Sequence, residues 1–565
     1  MGTARLIPLG GLGEFGLNAL ALESDTDLVV VDSGLLFPAP GTGGDCLVPD
    51  FSYLGGRREK LRGILLTHGH DDHVGALPHL LREFPQPVYG TALTLGLVEG
   101  RLREELPSAR GLLHRVGVGE SVGVGRLRAH FLRVAHSVPD SAALALETPG
   151  GTVLHTGDFK LDPSPVDGIP TDEASLTAWG SRGVDLLCCD STNAHRPGVG
   201  ASERAVGAAL RRILGNARGR VYIVTFSSHA HRVQQVLTAS REAGRTVALL
   251  GRTLRAAVQV ARRLGHVHPA PGDLVPERHL DRQPRHRQTV LLPGSQGEEG
   301  SAFFRVARGL EPRYRVEPGD DVVFSARRIP GNEAPIDDLI GRCLRQGARV
   351  HWDEGAGVHV SGHGCASELT RMLELTRPRH LLPVHGELRH LDSLARLATA
   401  WGMPAEAVFR VENGQSLVLE GGTVRLGPAE TTGRILWDRG LAAPAGDPLL
   451  RDRSRLGREG IALATLWASA GRGREVRVSL RGVVPAAEQE AAEIAAEAVV
   501  RRHLTDHPPD AGVSAAVGAA SALRRHFRRL GGRRPIVEVV VAGCEPPASE
   551  RAGGKLRTED RSEGD

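Results

Sequence analysis

Five side chains that could bind metal ions lie within six consecutive residues of the N-terminal region. The stretch reads Leu65-Leu66-Thr67-His68-Gly69-His70-Asp71-Asp72-His73, and the apolar residues Ile64 to Leu66 predict a strand. Imidazole and carboxylate groups are ligands that Zn²⁺ and similar divalent ions prefer. A polar loop with surface histidines is the alternative, but random composition rarely places ligands this close together. The stretch therefore predicts a metal site, shared by two adjacent ions, at a strand-to-helix turn.

Further polar side chains lie where predicted strands end. Asp32 follows Leu28 to Val31, and His136 and Asp158 each follow another predicted strand. Each of them alone could be ordinary polar surface. Asp190 ends an apolar strand, and two histidine-containing segments come much later, His359-Val360-Ser361-Gly362-His363-Gly364 and Leu381-Leu382-Pro383-Val384-His385-Gly386-Glu387.

A new α/β pattern of about 140 residues separates Asp190 from these late histidines. Three predicted strands in it end in small or polar residues: Val221 to Thr225, Val290 to Leu292 and Val322 to Phe324. Strand ends of this kind present backbone N–H groups and hydroxyls to a phosphate in α/β sheets. The candidate phosphate contacts are Ser227, Ser228, His229, Ser325 and Arg327.

The glycine-rich stretch Gly11 to Gly16 matches the pattern G-x-G-x-x-G. A dinucleotide-binding fingerprint requires a helix after this pattern. Here Leu17 to Leu22 alternates like a strand and leads to the strand Leu28 to Val31. We therefore expect the glycines to form a tight hairpin beside the metal site.

The bulk composition indicates a globular protein of several domains. With 565 residues, of which 41% are apolar, the chain exceeds a single core and suggests about three or four units. Six cysteines without a C-x-x-C pair favour reduced thiols. The N-terminus shows no signal-peptide pattern, and no apolar run reaches about 18 residues. We therefore expect a cytoplasmic protein without a membrane span.

The net charge of +4 is unevenly distributed. Residues 451–540 contain 16 arginines and 10 acidic residues, so they carry an excess of positive charge. This excess favours a polyanionic partner for the C-terminal part, and a solvated arginine-rich face is the alternative.

In their order along the chain, these motifs resemble those of the metallo-β-lactamase superfamily and its β-CASP members. From residue 5 to about residue 430 the resemblance is to the bacterial ribonuclease J family. Two positions depart from that pattern: Leu17 replaces a common lysine, and Ser228-His229-Ala230 replaces the usual residues before His-Arg-Val-Gln-Gln. The matching motifs are Gly-Gly-Leu-Gly-Glu, Asp-Ser-Gly-Leu, His-Gly-His-Asp-Asp-His, His-Ser-Val-Pro-Asp-Ser, Thr-Gly-Asp-Phe-Lys, Asp-Ser-Thr-Asn-Ala, Gly-Ser-Gln-Gly-Glu, Ile-Pro-Gly-Asn-Glu, Val-Ser-Gly-His and Pro-Val-His-Gly-Glu.

The resemblance implies an α/β fold: a metallo-β-lactamase αββα sandwich with an inserted β-CASP α/β domain and a small C-terminal α/β domain. The expected boundaries are 1–204 and 346–430 for the two parts of the metallo-β-lactamase domain, 205–345 for the β-CASP domain, 431–449 for a linker, 450–545 for the C-terminal domain and 546–565 for a disordered tail.

The resemblance also assigns roles to the candidate residues. It places one ion on His68, His70, His136 and Asp158, and the other on Asp72, His73, Asp158 and His385, with Asp158 as the bridge. It gives Asp32 the role of holding ligand histidines by hydrogen bonds. The implied catalytic residues are Asp72, Asp158, Asp190 and His363, and the implied substrate contacts are Ser227, Ser228, His229, Ser325, Arg327, His359, Val360, Ser361, Gly362 and His363.

The activity implied is hydrolysis of RNA phosphodiesters, since two divalent ions can activate water for attack on phosphorus. Members act on single-stranded RNA with a 5′ monophosphate, from 5′ to 3′, and also cut internally during rRNA processing and mRNA decay. The expected ions are two Zn²⁺, with Mn²⁺ or Mg²⁺ as alternatives. A homodimer or homotetramer and contacts with other RNA-decay proteins are also implied. Two other functions stay open: a hydrolase of small esters or lactams, and an inactive RNA-binding scaffold.

Overall fold

The computed structural model describes residues 2–38, 44–328, 332–352, 354–438, 441–444, 447–469, 473–507 and 512–542. The predicted tail from residue 546, Cys544 and the Ile-Pro-Gly part of one motif, residues 329–331, lie outside these ranges. One compact unit contains the described residues up to 37 and from 45 to 437, and a second contains those from 438 onward. No helix in the described ranges is long and apolar enough to cross a bilayer.

The first part of the chain alternates strands and helices up to residue 216. Its strands are Thr3–Gly10 (β1), Ala19–Ser24 (β2), Leu28–Val31 (β3), Cys46–Pro49 (β4), Leu61–Leu65 (β5), Val88–Gly90 (β6), Leu113–Arg115 (β7), Ser121–Val124 (β8), Leu127–Arg133 (β9), Ala142–Thr148 (β10), Gly151–His155 (β11) and Leu186–Asp190 (β12). Its helices are Ser52–Gly55 (α1), Asp71–Val74 (α2), Leu77–Glu83 (α3), Ala92–Glu105 (α4), Glu173–Arg182 (α5) and Arg204–Asn216 (α6).

The middle part forms its own α/β structure, and the later strands then join the sheets of the first part again. The middle elements are Val221–Val224 (β13), Ala230–Glu242 (α7), Thr246–Leu249 (β14), Arg252–Arg263 (α8), Glu277–Leu280 (α9), Gln288–Leu292 (β15), Ala302–Ala307 (α10), Asp321–Phe324 (β16), Glu333–Arg345 (α11) and Arg349–His351 (β17). The returning elements are Ala366–Thr376 (α12), His380–Val384 (β18), Leu388–Trp401 (α13), Gln415–Glu420 (β19), Thr423–Ala429 (β20) and Arg434–Asp438 (β21).

Two sheets pack against each other and are covered by helices on their outer faces. Their strand orders are β20-β19-β1-β2-β3-β5-β6-β7 and β18-β12-β11-β10-β9-β8. Side chains alternate between the faces of a strand, so Leu6 enters the core between the sheets while Ile7 packs under α3 and α4. In the second sheet Leu186 enters the same central core and Leu187 packs under α5, α12 and α13. This arrangement agrees with the predicted αββα sandwich.

The middle part contains a parallel five-stranded sheet with the order β14-β15-β13-β16-β17. Its central strand β13 is buried along its whole length because both faces are covered: Ile223 belongs to one core and its neighbour Tyr222 to the other. The connection after β13 runs to the edge strand β14, whereas the connection after β15 runs in the opposite direction to β16. The carboxyl ends of β13 and β15 therefore lie where loops diverge and ligands commonly bind. The sequence places Ser227 and Arg327 in the loops after β13 and β16.

The C-terminal unit is a small α/β structure. Its elements are Leu441–Pro444 (β22), Pro448–Glu459 (α14), Ile461–Ser469 (β23), Gly473–Arg481 (β24), Gln489–Asp506 (α15), Gly512–Arg529 (α16) and Ile536–Ala542 (β25). The sheet has the order β24-β23-β25, and its apolar face shares a core with α15 and α16. The segment predicted as a linker, residues 431–449, contains the short strands β21 and β22. Strand β21 pairs with the distant strand β4, a contact that local sequence patterns do not reveal.

Candidate metal centre

The predicted metal ligands lie in loops at the carboxyl ends of strands from both central sheets. His68 and His70 follow β5, Asp72 and His73 begin α2, and His136, Asp158 and His385 follow β9, β11 and β18. Strands β3 and β5 are parallel in one sheet, and β11, β12 and β18 are parallel in the other. Carboxyl ends of parallel strands meet at one edge of a sheet, so the fold collects residues that are up to about 300 positions apart.

The ligands form two clusters that share one carboxylate. His68, His70, His136 and Asp158 form the first, and Asp72, His73, Asp158 and His385 form the second; the ligand atoms within each cluster lie within 4.8 Å of one another. Asp158 is 2% exposed, and its Oδ1 has no hydrogen-bond partner among the described residues. An ionised carboxylate buried without a partner is costly. Imidazole and carboxylate donors converging in this way fit a site for two divalent ions.

The electrostatics of the clusters suit metal binding. Burial, together with the neighbouring imidazoles, holds the pKa of His68 and of His136 well below the usual range. Burial alone would raise the pKa of Asp158, but the histidines around it, His385 first, hold that pKa well below its usual value. Metal ions bind neutral imidazole and ionised carboxylate. His68, His136 and Asp158 therefore favour the protonation states that a metal ion requires. For His73, in contrast, Asp158, Asp72 and Asp32 outweigh burial and hold the pKa well above its usual value, so this imidazole must lose a proton when an ion binds.

Hydrogen bonds from Nδ1 orient the rings of three predicted ligand histidines. His73 Nδ1 donates to Asp32 Oδ2 at 2.7 Å, His136 Nδ1 to the Gly362 carbonyl at 2.8 Å, and His385 Nδ1 to Asn18 Oδ1 at 3.0 Å. Each ring then presents Nε2 to Asp158, at 3.3 Å for His73, 3.8 Å for His136 and 3.6 Å for His385. Such contacts set the tautomer and direction of metal-binding imidazoles.

A third pair of groups lies beside the shared carboxylate. His363 Nδ1 donates to Asp190 Oδ2 at 2.7 Å, and its Nε2 is 3.8 Å from Asp158 Oδ2. Burial would lower the pKa of His363, but Asp190 and Asp158 outweigh it and raise that pKa above its usual value. His363 therefore tends to hold a proton on the side that faces the metal centre.

The predicted substrate contacts divide into an open group and a buried group. Ser227, Ser228 and Ser361 are half-buried. Ser325 is fully buried, and its hydroxyl donates to the Val358 carbonyl at 2.7 Å. His229 is also buried; its Nδ1 caps α7 by accepting from the Arg232 N–H at 3.3 Å. Ser325 and His229 thus hold the surrounding loops by hydrogen bonds, and their contact with substrate stays a prediction.

Known families match successive parts of the chain. The metallo-β-lactamase superfamily matches residues 12–214, the β-CASP domain of ribonuclease J matches 218–343, and the RNA specificity domain of Zn-dependent metallo-hydrolases matches 356–408. Ribonuclease J of Thermus thermophilus is 38% identical over 499 residues, which cover 87% of this chain and 86% of that protein. Ribonuclease J of Mycobacterium tuberculosis is 39% identical over 456 residues, which cover 80% and 81%. This chain belongs to the ribonuclease J family.

The relationship to ribonuclease J extends across species. The Helicobacter pylori protein is 35% identical over 469 residues, which cover 83% of this chain and 68% of that protein. A crystal structure of an Enterococcus faecalis protein of unknown function shares the fold alone, with a TM-score of 0.50 and 14% identity over 74% of this chain and 100% of that one. These matches confirm the predicted fold class and family, and they identify the chain as a metal-dependent nuclease of RNA processing.

Two residues of this ribonuclease J site were not found by sequence reasoning. Asn18 contacts His385 and also donates to the Asp72 carbonyl at 3.0 Å, so it joins two predicted ligands. Asn18 is the only polar residue in the predicted strand segment Leu17 to Leu22 and directly precedes β2, which is a signal that could have revealed it. Lys160 is buried and donates to the carbonyls of Ala201 at 2.7 Å and Ser361 at 3.2 Å. Lys160 ends the motif Thr-Gly-Asp-Phe-Lys, but its residue type alone does not indicate these contacts.

Asp32→Asn is expected to weaken metal binding by about 10- to 100-fold, because it removes the charged acceptor behind His73. Asp32 has a left-handed backbone with φ of 61°, which asparagine also tolerates, so the fold should persist. Chelator titration of the loaded protein measures the affinity, and the exposed substitution Asp25→Asn is the matched control. An unchanged metal affinity in Asp32→Asn would contradict this role.

Proposed function

We propose that the protein is a 5′-to-3′ exoribonuclease that acts on single-stranded RNA with a 5′ monophosphate and also cuts RNA internally. The observation that carries this proposal is a cationic pocket beside the metal centre. Both ring nitrogens of His359 are buried without a hydrogen-bond partner among the described residues. Burial and nearby cations hold the pKa of this imidazole well below its usual range, and these cations are Arg232, Arg327, Lys160 and Arg196. The neutral imidazole keeps one N–H donor, and a buried donor without a partner beside cations suits an anionic ligand.

The pocket adjoins the cleavage centre through a single loop. Ser361 Oγ accepts a hydrogen bond from Asn193 Nδ2 at 2.8 Å, on the side of the pocket. The carbonyl of the next residue, Gly362, accepts from Nδ1 of the predicted ligand His136. Consecutive Cα atoms are only about 3.8 Å apart. A terminal phosphate held at Ser361 would therefore lie close to the metal centre, which supports stepwise release from the 5′ end.

The residues in the site suit phosphodiester hydrolysis. His68, His70, His136 and Asp158 would hold one ion, and Asp72, His73, Asp158 and His385 the other. Two such ions supply water of lowered pKa and charge stabilisation for in-line attack. Asp190 fixes the ring of His363, whose Nε2 proton passes to the 3′-oxygen as the P–O3′ bond breaks. The products are a 5′-phosphate on the downstream fragment and a 3′-hydroxyl on the released nucleotide.

Metal identity, assembly and location form part of the same proposal. The histidine-rich ligand set favours Zn²⁺, with Mn²⁺ or Mg²⁺ as alternatives, and elemental analysis of the purified protein would identify the ion. We further propose a homodimer or homotetramer that acts in the cytoplasm with other RNA-decay proteins. Light scattering at several protein concentrations measures the assembly.

RNA with a 5′ monophosphate should be degraded about tenfold or more faster than the same RNA with a 5′ hydroxyl or triphosphate. The reason is that hydrogen bonds to a charged group contribute about 1.5–3 kcal/mol. Single-stranded RNA labelled at its 3′ end separates the activities: disappearance without intermediates indicates exonuclease action, and shared internal fragments indicate endonuclease action. His73→Ala, which removes a predicted ligand, is the inactive control. Equal rates for all three ends would contradict the exonuclease proposal, and no cleavage with Zn²⁺, Mn²⁺ or Mg²⁺ would contradict both.

A further inference from the structure

The side chain of Asn193 lies between the cationic pocket and the loop that carries His363. Asn193 follows β12 and is completely buried. Its Oδ1 accepts from Arg327 Nη1 at 2.7 Å, and its Nδ2 donates to Ser361 Oγ at 2.8 Å and to the His363 carbonyl at 3.0 Å. Both N–H groups and the oxygen of the carboxamide are therefore engaged. The three partners come from segments that are more than 130 residues away in the chain.

We propose that Asn193 is the positioning residue that gives this enzyme its preference for a 5′ monophosphate, by orienting Arg327 and the Ser361 hydroxyl toward the terminal phosphate. The inference rests on the proposed exonuclease function and extends it to a residue that does not touch substrate. It assigns Asn193 to substrate selection, whereas cleavage itself depends on the metal ligands and His363.

The hydrogen-bond directions at Ser361 support this assignment. Its Oγ accepts from Asn193 Nδ2 and from the His363 backbone N–H at 3.2 Å. A serine hydroxyl has two acceptor lone pairs and one donor hydrogen. Because both lone pairs are engaged, the hydrogen is left to donate to a ligand oxygen. The amide of Asn193 thus turns the hydroxyl into a donor that suits phosphate.

The neutral charge of Asn193 matters equally for Arg327. The carboxamide oxygen of Asn193, which is uncharged, orients the Arg327 guanidinium through one hydrogen bond and does not form an ion pair with it. A carboxylate at the same position would pair with Arg327 and would also accept the Ser361 hydrogen. Both phosphate donors would then be lost without a change in side-chain shape. His363 keeps separate support from Asp190, which is 2.7 Å away.

The test compares Asn193→Asp and Asn193→Ala with the wild-type protein on RNA of one sequence with a 5′ monophosphate or a 5′ hydroxyl. We expect kcat/KM for monophosphate RNA to fall about 10- to 100-fold, from the loss of two charge-assisted contacts. Cleavage of 5′-hydroxyl RNA should change by less than about threefold, since those contacts are then not used. Asn216→Asp, which lies at an exposed position, is the matched control. Metal content and thermal unfolding measured on every variant identify any that fail to fold.

A double-mutant comparison keeps the inference falsifiable if Asn193→Asp is unstable. In an Arg327→Ala background, Asn193→Ala should lower monophosphate activity by less than about threefold, because the two residues act through one contact. Equal losses on both RNAs in folded variants, or independent losses in the double mutant, would overturn the inference while leaving the proposed function intact. If the wild-type protein itself does not distinguish the two ends, the proposed function fails and the inference fails with it.

Discussion

Asp158→Asn is expected to lower the kcat for RNA hydrolysis by about a thousandfold or more, since activation of water by bound ions shifts its pKa from about 15.7 to about 7. Asp158 is the one residue that both predicted clusters share. Loss of its charge leaves each predicted cluster with three strong metal ligands and removes the one carboxylate that both clusters share. We therefore expect the variant to retain its fold but to bind fewer than two ions per subunit.

Elemental analysis and single-turnover cleavage of 5′-monophosphate RNA measure the two effects on the same preparation. Asp25→Asn makes the same chemical change at an exposed position and should retain both ions and full activity. Two tightly bound ions in Asp158→Asn, with less than about a tenfold loss of rate, would contradict the bridging role.

His363→Ala is expected to reduce kcat by about 10²- to 10⁴-fold, the usual contribution of a positioned general acid. Unlike the ligand substitutions, it should leave KM and the metal content nearly unchanged, because His363 lies beside the clusters and hydrogen-bonds to Asp190. Asp190→Asn should reproduce part of the loss by weakening the orientation and charge of the imidazole.

The measurement is kcat and KM for 5′-monophosphate RNA together with elemental analysis. His114→Ala, at an exposed position, provides the histidine control. Loss of bound metal in His363→Ala would instead assign this residue to a metal cluster, and an unchanged kcat would exclude it as the acid.

Local patterns in the chain predicted the first part of the metal site and the strands that carry it. His68, His70, Asp72 and His73 are recognisable because four ligands within one turn are neighbours in any fold. The alternation of apolar residues likewise predicts which face of a strand is buried, since side chains alternate with a period of two. The order of the later motifs then completed the ligand set through its resemblance to the ribonuclease J family.

Only the tertiary structure revealed the contacts between distant polar residues. Asn193 forms hydrogen bonds with Arg327, 134 positions away in the chain, and with His363, 170 positions away. His385 forms one with Asn18, 367 positions away. A hydrogen bond depends on distance and direction between two atoms, and neither follows from residue type when the partners belong to different strands. The same limit applies to Ser325 and His229, whose types predicted phosphate contacts and whose burial and hydrogen bonds to Val358 and to Arg232 only the structure shows. Residue identity thus determined which chemistry is available, and packing decided which side chains lie together.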